Sequence, residues 1–458
     1  MSRFLSIIPV LLFGVGFFYI LRLRGFYLFH PIRCCQKLAS HRPANGISPF
    51  RALTVALAGT LGVGNIVGVA SALYLGGAGA VFWMTVSALV AMVLKYAEIT
   101  LAMRHRRMGK DGTPTGGAPY YIEDTLRARH LPRLGRTLAM TFAVLCLLNA
   151  ITMGGVLQIN AVAGAMEEGF SVPPLASGLI LAALCIPVAR GGAARLSAWT
   201  EKLIPFMTLA FLLASVAVLV LRRERLDEAI RAIWQEALDP LRMGAGVGGF
   251  LLSRGLRYGV MRGLVSNEAG CGTAPMAHVA ADTDSPATQG IFGLVEVFVD
   301  TVVLCTVTAL VILVSDSGPN AYGEDAVRTA AAAFSSVLGD WAGGFFALSI
   351  FLFGAATILC WAHYGMTATT YLTDRRGAAM AFLAAFAVSL VGGSVAAPRL
   401  AWTLADVAIA LMTILNLAIL LLSHREVKEE TDILFSKHKT NRKHIIYEGK
   451  CKRKEPHP

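Results

Sequence analysis

Eleven predominantly apolar stretches run the length of the 458-residue chain, near residues 4–21, 51–75, 79–103, 138–166, 173–189, 199–221, 246–279, 288–314, 340–372, 378–395 and 401–423. Each is about the length that a helix needs to cross a hydrocarbon core, roughly 20 residues with a range of 17–25 or more when tilted or broken. Lipid offers no hydrogen-bond partner to backbone N–H and C=O groups, so stretches of this kind span as α-helices. The chain therefore reads as an all-α polytopic membrane protein of about eleven spans. Composition excludes a large water-soluble core, since 55% of residues are hydrophobic and only 15% charged, against roughly 25% charged in soluble domains. The first stretch follows Arg3 as a secretory signal would. It lacks a small-residue cleavage site and stays apolar to Leu21, and is read as a retained helix.

The 41 Lys and Arg residues sort unevenly across these spans. Twenty-nine fall on the side that holds 22–51, 104–137, 190–202, 373–377 and the tail, eight fall on the other, and Lys95, Arg254, Arg257 and Arg262 lie within spans. Basic loops stay in the cytoplasm, which predicts a plasma-membrane protein with its N-terminus outside and its C-terminus inside. The net charge of +12 then needs no nucleic acid as partner; it meets anionic headgroups of the lipid bilayer at the cytoplasmic face. The connection 222–243 carries Leu226, Ile230, Ile233, Trp234 and Leu238 at helical spacing and predicts an amphipathic helix on the outer surface, with a similar short helix at 324–338. The tail from about Arg425 is polar and charge-mixed and is assigned no fold. The cysteines sit in apolar runs, a basic loop or the tail, with no metal-site spacing, and read as buried or reduced thiols.

Two of the stretches are interrupted by glycine. The first reads Ala58-Gly59-Thr60-Leu61-Gly62-Val63-Gly64-Asn65 and the second Asn267-Glu268-Ala269-Gly270-Cys271-Gly272-Thr273-Ala274-Pro275. Setting aside the first span, each interruption lies in helix one of a block of five, and because five is odd the blocks have opposite topology. Non-helical backbone at membrane depth is tolerated only where it is buried in protein or lines a cavity. Paired interruptions in corresponding positions of two halves therefore point to a binding site at the midplane. Half-helix N-termini suit a carboxylate and unwound carbonyls suit a cation or ammonium, a combination that fits a zwitterionic amino acid. The division that follows is an extra N-terminal helix and basic loop (1–45), repeat one (46–221), an outer connection (222–243), repeat two (244–423) and a basic tail (424–458).

Several stretches are similar to those of the alanine or glycine:cation symporters. They include Ile47-Ser48-Pro49-Phe50, Ala56-Leu57-Ala58-Gly59-Thr60 through Gly68, Gly79-Ala80-Val81-Phe82-Trp83-Met84 and Lys95-Tyr96-Ala97-Glu98. Further on come Gly116-Gly117 with Pro119-Tyr120-Tyr121-Ile122-Glu123, Thr200-Glu201-Lys202-Leu203-Ile204-Pro205-Phe206, Arg257-Tyr258-Gly259-Val260 running to Ser266-Asn267-Glu268-Ala269-Gly270, Ala333-Phe334-Ser335-Ser336-Val337-Leu338-Gly339 and the Trp361 segment. The resemblance covers about residues 45–420. It implies a leucine-transporter-like core of two inverted five-helix repeats and a sodium-coupled importer of small neutral amino acids, chiefly alanine and glycine, with no cofactor beyond the co-transported sodium ion. By position it implies that Thr60, Gly62, Gly64, Asn65, Gln158, Asn267, Gly270 and Trp361 contact the substrate. Gln158 would serve either the ammonium or the carboxylate, and Trp361 would wall off the side-chain end. Carbonyls of Ala58, Leu61 and Phe353 with the hydroxyl of Thr357 would hold sodium, an all-oxygen set that suits a hard cation.

The sequence departs from that pattern at Val63, Gly155, Ala356, Cys360 and Leu415. Ala356 lacks a hydroxyl that would ligate sodium, and Cys360 narrows the pocket. Glu296 and Asp300, four residues apart, read either as a proton or second-cation site or as partners of Arg254, Arg257 or Arg262. A proton-coupled carrier and a non-transporting amino-acid sensor of the same fold are the alternative readings. No hydrolase, zinc-protease or phosphate-loop motif is present, and the chain is not read as an enzyme.

Overall fold

The computed structural model describes residues 7–39, 47–109, 112–238, 253–283, 285–373 and 375–436. Apart from a two-stranded ribbon pairing Arg107–Met108 with Pro114–Thr115, its named elements are helices. In chain order the main ones are α1 (Ile7–Arg22), α2 (Pro49–Thr60), α3 (Val67–Gly76), α4 (Gly79–Arg104), α5 (Ala118–Arg127), α6 (Pro132–Phe170), α7 (Pro174–Ala189) and α8 (Gly192–Leu221). They continue as α9 (Leu226–Ala237), α10 (Arg254–Asn267), α11 (Pro286–Val314), α12 (Ala326–Leu338), α13 (Trp341–Leu372), α14 (Arg376–Ser394) and α15 (Pro398–Phe435). Among the described residues seven helices are long and apolar enough to cross a membrane. The broken segments do not count among them, because each interruption divides its apolar run.

Local chemistry sets the helix starts. Ser48 accepts the Arg51 N–H at 3.2 Å ahead of Pro49, Ser285 accepts the Thr288 N–H at 3.2 Å ahead of Pro286, and Asp325 accepts the Arg328 N–H at 3.0 Å. A side-chain oxygen at the N-cap satisfies a donor that the first turn leaves free, and proline at the next position has no N–H to satisfy. Proline residues lie inside two helices, Pro187 in the short apolar α7 and Pro205 in the longer apolar α8. On α8 the side chains of Phe206, Leu209, Leu213, Val216 and Val220 are exposed at three- and four-residue spacing, an apolar stripe of the kind that faces lipid.

Two five-member blocks are arranged around the interrupted helices: α2/α3, α4, α6, α7 and α8, then α10 with its break, α11, α13, α14 and α15. Second members pack together as α4 on α11, and third members as the latter part of α6 on α13. The correspondence is that of an inverted repeat. The extra helix α1 docks outside, against α4 and α15, with the Tyr19 hydroxyl donating to the Leu420 carbonyl at 2.6 Å. The predicted surface helices are present as α9 and α12, and α9 buries Ile233 while leaving Ile230 and Trp234 exposed.

The tail is a correction. Residues 424–435, assigned no fold from sequence, continue α15 as helix, and 437–458 lie outside the described residues. The extension is held where α4 ends: Arg104 lies 3.3, 3.0 and 2.9 Å from Glu426, Glu429 and Glu430. His105 bridges Asp124 at 3.2 Å and Glu426 at 2.8 Å. Burial works against a charged His105, but its bonds to Asp124 and Glu426 outweigh that and hold its pKa above the usual histidine range. Burial also opposes the charged form of Asp124, and His105 with Arg107 outweighs it, holding that carboxyl below its usual range.

Candidate functional site

The two breaks differ in how the backbone makes them. In the first, α2 ends at Thr60, a single tight turn covers Val63–Asn65, and α3 resumes at Val67. In the second, α10 ends at Asn267, and Glu268, Gly270 and Gly272 take left-handed φ of 53, 92 and 81° before the one-turn helix Pro275–His278. The half-helix expected after the second break is thus only a turn long. Glycine adopts left-handed φ freely, whereas a residue with a side chain does so at roughly 1–2 kcal/mol. Glu268 is the one position of the three that bears that cost.

Residues around the first break converge with α6 and α13. Gln158 Oε1 accepts the Val63 N–H at 3.1 Å, and its Nε2 donates to the Met153 carbonyl at 3.2 Å. Thr357 Oγ1 lies 2.9 Å from the Ala58 carbonyl and 3.1 Å from that of Phe353. A Cβ at Gly62 would come within 2.6 Å of Thr357 Oγ1 and 2.9 Å of Gln158 Oε1, so the approach depends on glycine. Ala58, Phe353 and Thr357 bring three oxygens to one place. A hydroxyl carries one proton and can serve only one of the two carbonyls at a time. Leu61 follows directly, its N–H closing the turn onto the Leu57 carbonyl at 2.7 Å, and Thr60 Oγ1 bonds its own helix at the Ala56 carbonyl, 3.3 Å away.

Asn65 faces the second break. Its Nδ2 donates to Ser266 Oγ at 2.9 Å and Asp300 Oδ1 at 2.7 Å, while its Oδ1 accepts the Gly62 N–H at 3.0 Å. Ser266 and Thr301 donate to Asp300 Oδ2 at 2.7 and 2.6 Å, and Asn267 Nδ2 donates to Thr301 Oγ1 at 3.1 Å. A Cβ at Gly64 would lie 3.3 Å from Ser266 Cα, so the two interrupted segments touch backbone to backbone. Asp300 is the hub that fastens one to the other.

Gly270 is held by α15. Its carbonyl accepts from Asn416 Nδ2 at 3.0 Å, and the same nitrogen donates to Glu98 Oε1 at 2.5 Å, which also accepts the Gly272 N–H at 2.9 Å. Trp361 Nε1 donates to Glu268 Oε1 at 3.1 Å, and Thr273 donates to Glu268 Oε2 at 2.5 Å. The indole is fully buried, and a Cβ at Gly154 would lie 2.2 Å from Trp361 Cβ. Glu98, Ser266, Glu268, Asp300 and Asn416 are thus site residues that the substrate-contact set leaves out. A carboxyl inside a glycine-rich interruption was the available signal for Glu268, and Ser266 directly precedes that interruption in the chain; Glu98, Asp300 and Asn416 are joined to the breaks only by tertiary packing.

Glu296 pairs with Lys95 at 3.2 Å and with His278 at 3.1 Å, not with Arg254, Arg257 or Arg262. Arg262 instead reaches Asp406 at 2.6 Å and lies over the Trp402 ring at 4.0 Å, and Arg257 lies over Tyr258. The cause is packing: Glu296 projects from α11 onto α4, the helix that carries Lys95. Two departures also find reasons here. A Cβ at Gly155 would meet Ser389 Oγ at 2.8 Å, which leaves no room for a larger residue, and Cys360 Sγ donates to the Val55 carbonyl at 3.2 Å on α2.

The family described as the sodium:alanine symporter family matches residues 2–448. The sodium/alanine symporter AgcS of Methanococcus maripaludis is 36% identical over 429 residues, covering 92% of each chain. A probable sodium/glutamine symporter of Bacillus subtilis is 34% identical over 422 residues, covering 91% of this chain and 86% of its own. Among solved structures, MhsT in complex with L-phenylalanine superposes with a TM-score of 0.54 at 13% identity, over 86% of this chain and 99% of that one. A manganese transporter of Eremococcus coleocola gives 0.52 at 14% identity, over 88% and 83%. Such distant likenesses concern the fold, which is the leucine-transporter-like one.

Proposed function

The chain belongs to the sodium:alanine symporter family, whose members are cation-coupled amino-acid transporters, and from that premise we propose that it imports alanine or glycine together with sodium by alternating access. The observation that carries the reading is the convergence of Gly62, Gln158 and Thr357, with the Ala58 and Phe353 carbonyls beside them. In this reading Thr60, Gly62, Gly64, Asn65, Gln158, Asn267, Gly270 and Trp361 surround the amino acid, and Ala58, Leu61, Phe353 and Thr357 ligate sodium through oxygen alone. Trp361 and Gly154, packed in contact, favour a small side chain over one the size of glutamine.

Sodium is preferred to a proton as the driving ion because both carboxyls that suggested proton transfer are engaged: Glu296 by Lys95 and His278, Asp300 by Asn65, Ser266 and Thr301. The excess of basic residues on one side supports a plasma-membrane orientation with the C-terminus in the cytoplasm. The two repeats then rock against each other about the breaks. The test is uptake of labelled alanine and glycine into proteoliposomes. An inward sodium gradient is expected to drive accumulation that choline does not support. Equal uptake in choline, uptake driven by a pH gradient alone, or binding without uptake would contradict the proposal.

A further inference from the structure

Glu268 stands in the second break with a left-handed backbone, φ 53°, where glycine occupies the two other positive-φ positions. Strained conformations of this kind persist where the surroundings enforce them, and they concentrate at working sites. The backbone there gains nothing from a carboxyl, so the side chain is where a use must be sought. Its two oxygens have separate partners. Thr273 Oγ1, across the turn, donates to Oε2 at 2.5 Å, and Trp361 Nε1 on α13 donates to Oε1 at 3.1 Å. The first contact orients the carboxyl within the break and the second reaches out of it.

Burial and packing confine the Trp361 ring, and Glu268 supplies the acceptor for its N–H. The Trp361 Cβ, Cγ and Cδ2 lie so close to Gly154 that no Cβ fits between them, and its ring meets Tyr364 edge-on with centroids 5.4 Å apart. Such contacts restrict where the indole lies but give its N–H no direction. Thr357, one turn earlier on the same helix, bonds the first break at the Ala58 carbonyl. One face of α13 therefore reads both breaks, the first through Thr357 and the second through Trp361.

We propose that Glu268 is a positioning and specificity-determining residue: it fixes the Trp361 indole as the end wall of the amino-acid pocket, so that side chains larger than that of alanine are refused. The inference rests on the reading of the two breaks as the amino-acid site. Substrate does not touch Glu268 in this scheme; the carboxyl acts through the indole, and it ties the end wall to the segment that unwinds.

The test is competition by unlabelled valine against labelled alanine uptake, with the full chain in proteoliposomes. In E268A the indole loses its acceptor; the KM for alanine is expected to rise about tenfold, the scale of one buried hydrogen bond, with a smaller change in maximal rate, and valine to become a competitor. E268Q keeps an acceptor oxygen and is expected to restore rejection of valine. In the W361F background, which has no indole N–H, E268A is expected to add nothing further. T273V, which leaves the carboxyl in place but unoriented, should shift selectivity in the same direction if E268A does not fold. Unchanged rejection of valine in E268A or T273V, equal behaviour of E268Q and E268A, or an undiminished effect of E268A in the W361F background would overturn the proposal. No alanine uptake by the wild-type protein would overturn instead the reading on which it rests.

Discussion

Gly62→Ala is expected to weaken alanine transport severely while leaving the protein folded. The added methyl would lie 2.6 Å from Thr357 Oγ1, 3.3 Å from Thr357 Cβ and 2.9 Å from Gln158 Oε1. Threonine is short and stiff at χ1, and it cannot turn away without giving up its contacts with the Ala58 and Phe353 carbonyls. Overpacking of this kind costs about 1–3 kcal/mol. Borne by the closely packed bound state, that is roughly five- to hundredfold in apparent affinity at about 1.4 kcal/mol per decade. Gly392→Ala is the control, since a Cβ there meets nothing within 4 Å. Alanine uptake kinetics of the two variants check the point; a wild-type KM in Gly62→Ala would show that Gly62 does not border the site.

Lys95→Met has the largest expected effect on stability. Lys95 and Glu296 are both fully buried, 3.2 Å apart, with Glu98 one turn further along α4. Removing one partner of such a pair leaves a buried charge uncompensated and costs about 3–5 kcal/mol. Replacing both partners is far milder, because neither charge then has to be kept from solvent. The Lys95→Met/Glu296→Gln double variant keeps an acceptor for His278 and is expected to recover most of the loss. Thermal or denaturant unfolding in detergent measures both; a single variant within about 0.5 kcal/mol of wild type, the range of an ordinary surface substitution, would mean the pair is not a structural tie.

What was legible in the chain follows from how local each signal is. The first break could be read from Gly62-Val63-Gly64-Asn65 because closely spaced glycines in an apolar run have few other uses, and the amphipathic helix α9 because its apolar residues recur at helical spacing. The pairing of Glu296 was not legible. Lys95 lies 201 positions earlier in the chain, whereas Arg254, Arg257 and Arg262 lie much nearer in sequence, and only the packing of α4 on α11 decides between them. Asp300 was visible as a carboxylate in a span, but its work of joining Asn65 to Ser266 depends on three elements meeting.

The helical end of α15 was missed for another reason. Residues 424–435 are mostly polar and have the composition of a solvated tail, although Val427 and Thr431 are buried at four-residue spacing. Their acidic neighbours match Arg104 and His105 at the end of α4, partners that a hydropathy profile does not register. Glu268 shows the limit most sharply. Its position in the break was plain, but neither the left-handed backbone nor the Trp361 partner, 93 positions on, can be inferred from sequence spacing.

Equilibrium binding to the purified protein tests most directly whether amino acid and sodium bind side by side at the first break and α13. Coupled sites are reciprocal: sodium must raise the affinity for alanine by the same factor by which alanine raises the affinity for sodium. This factor is expected to be large in the wild-type protein and to fall towards one in Thr357→Ala, which removes the hydroxyl between the Ala58 and Phe353 carbonyls. Alanine binding that ignores sodium in the wild-type protein, or coupling that survives intact in Thr357→Ala, would contradict that arrangement.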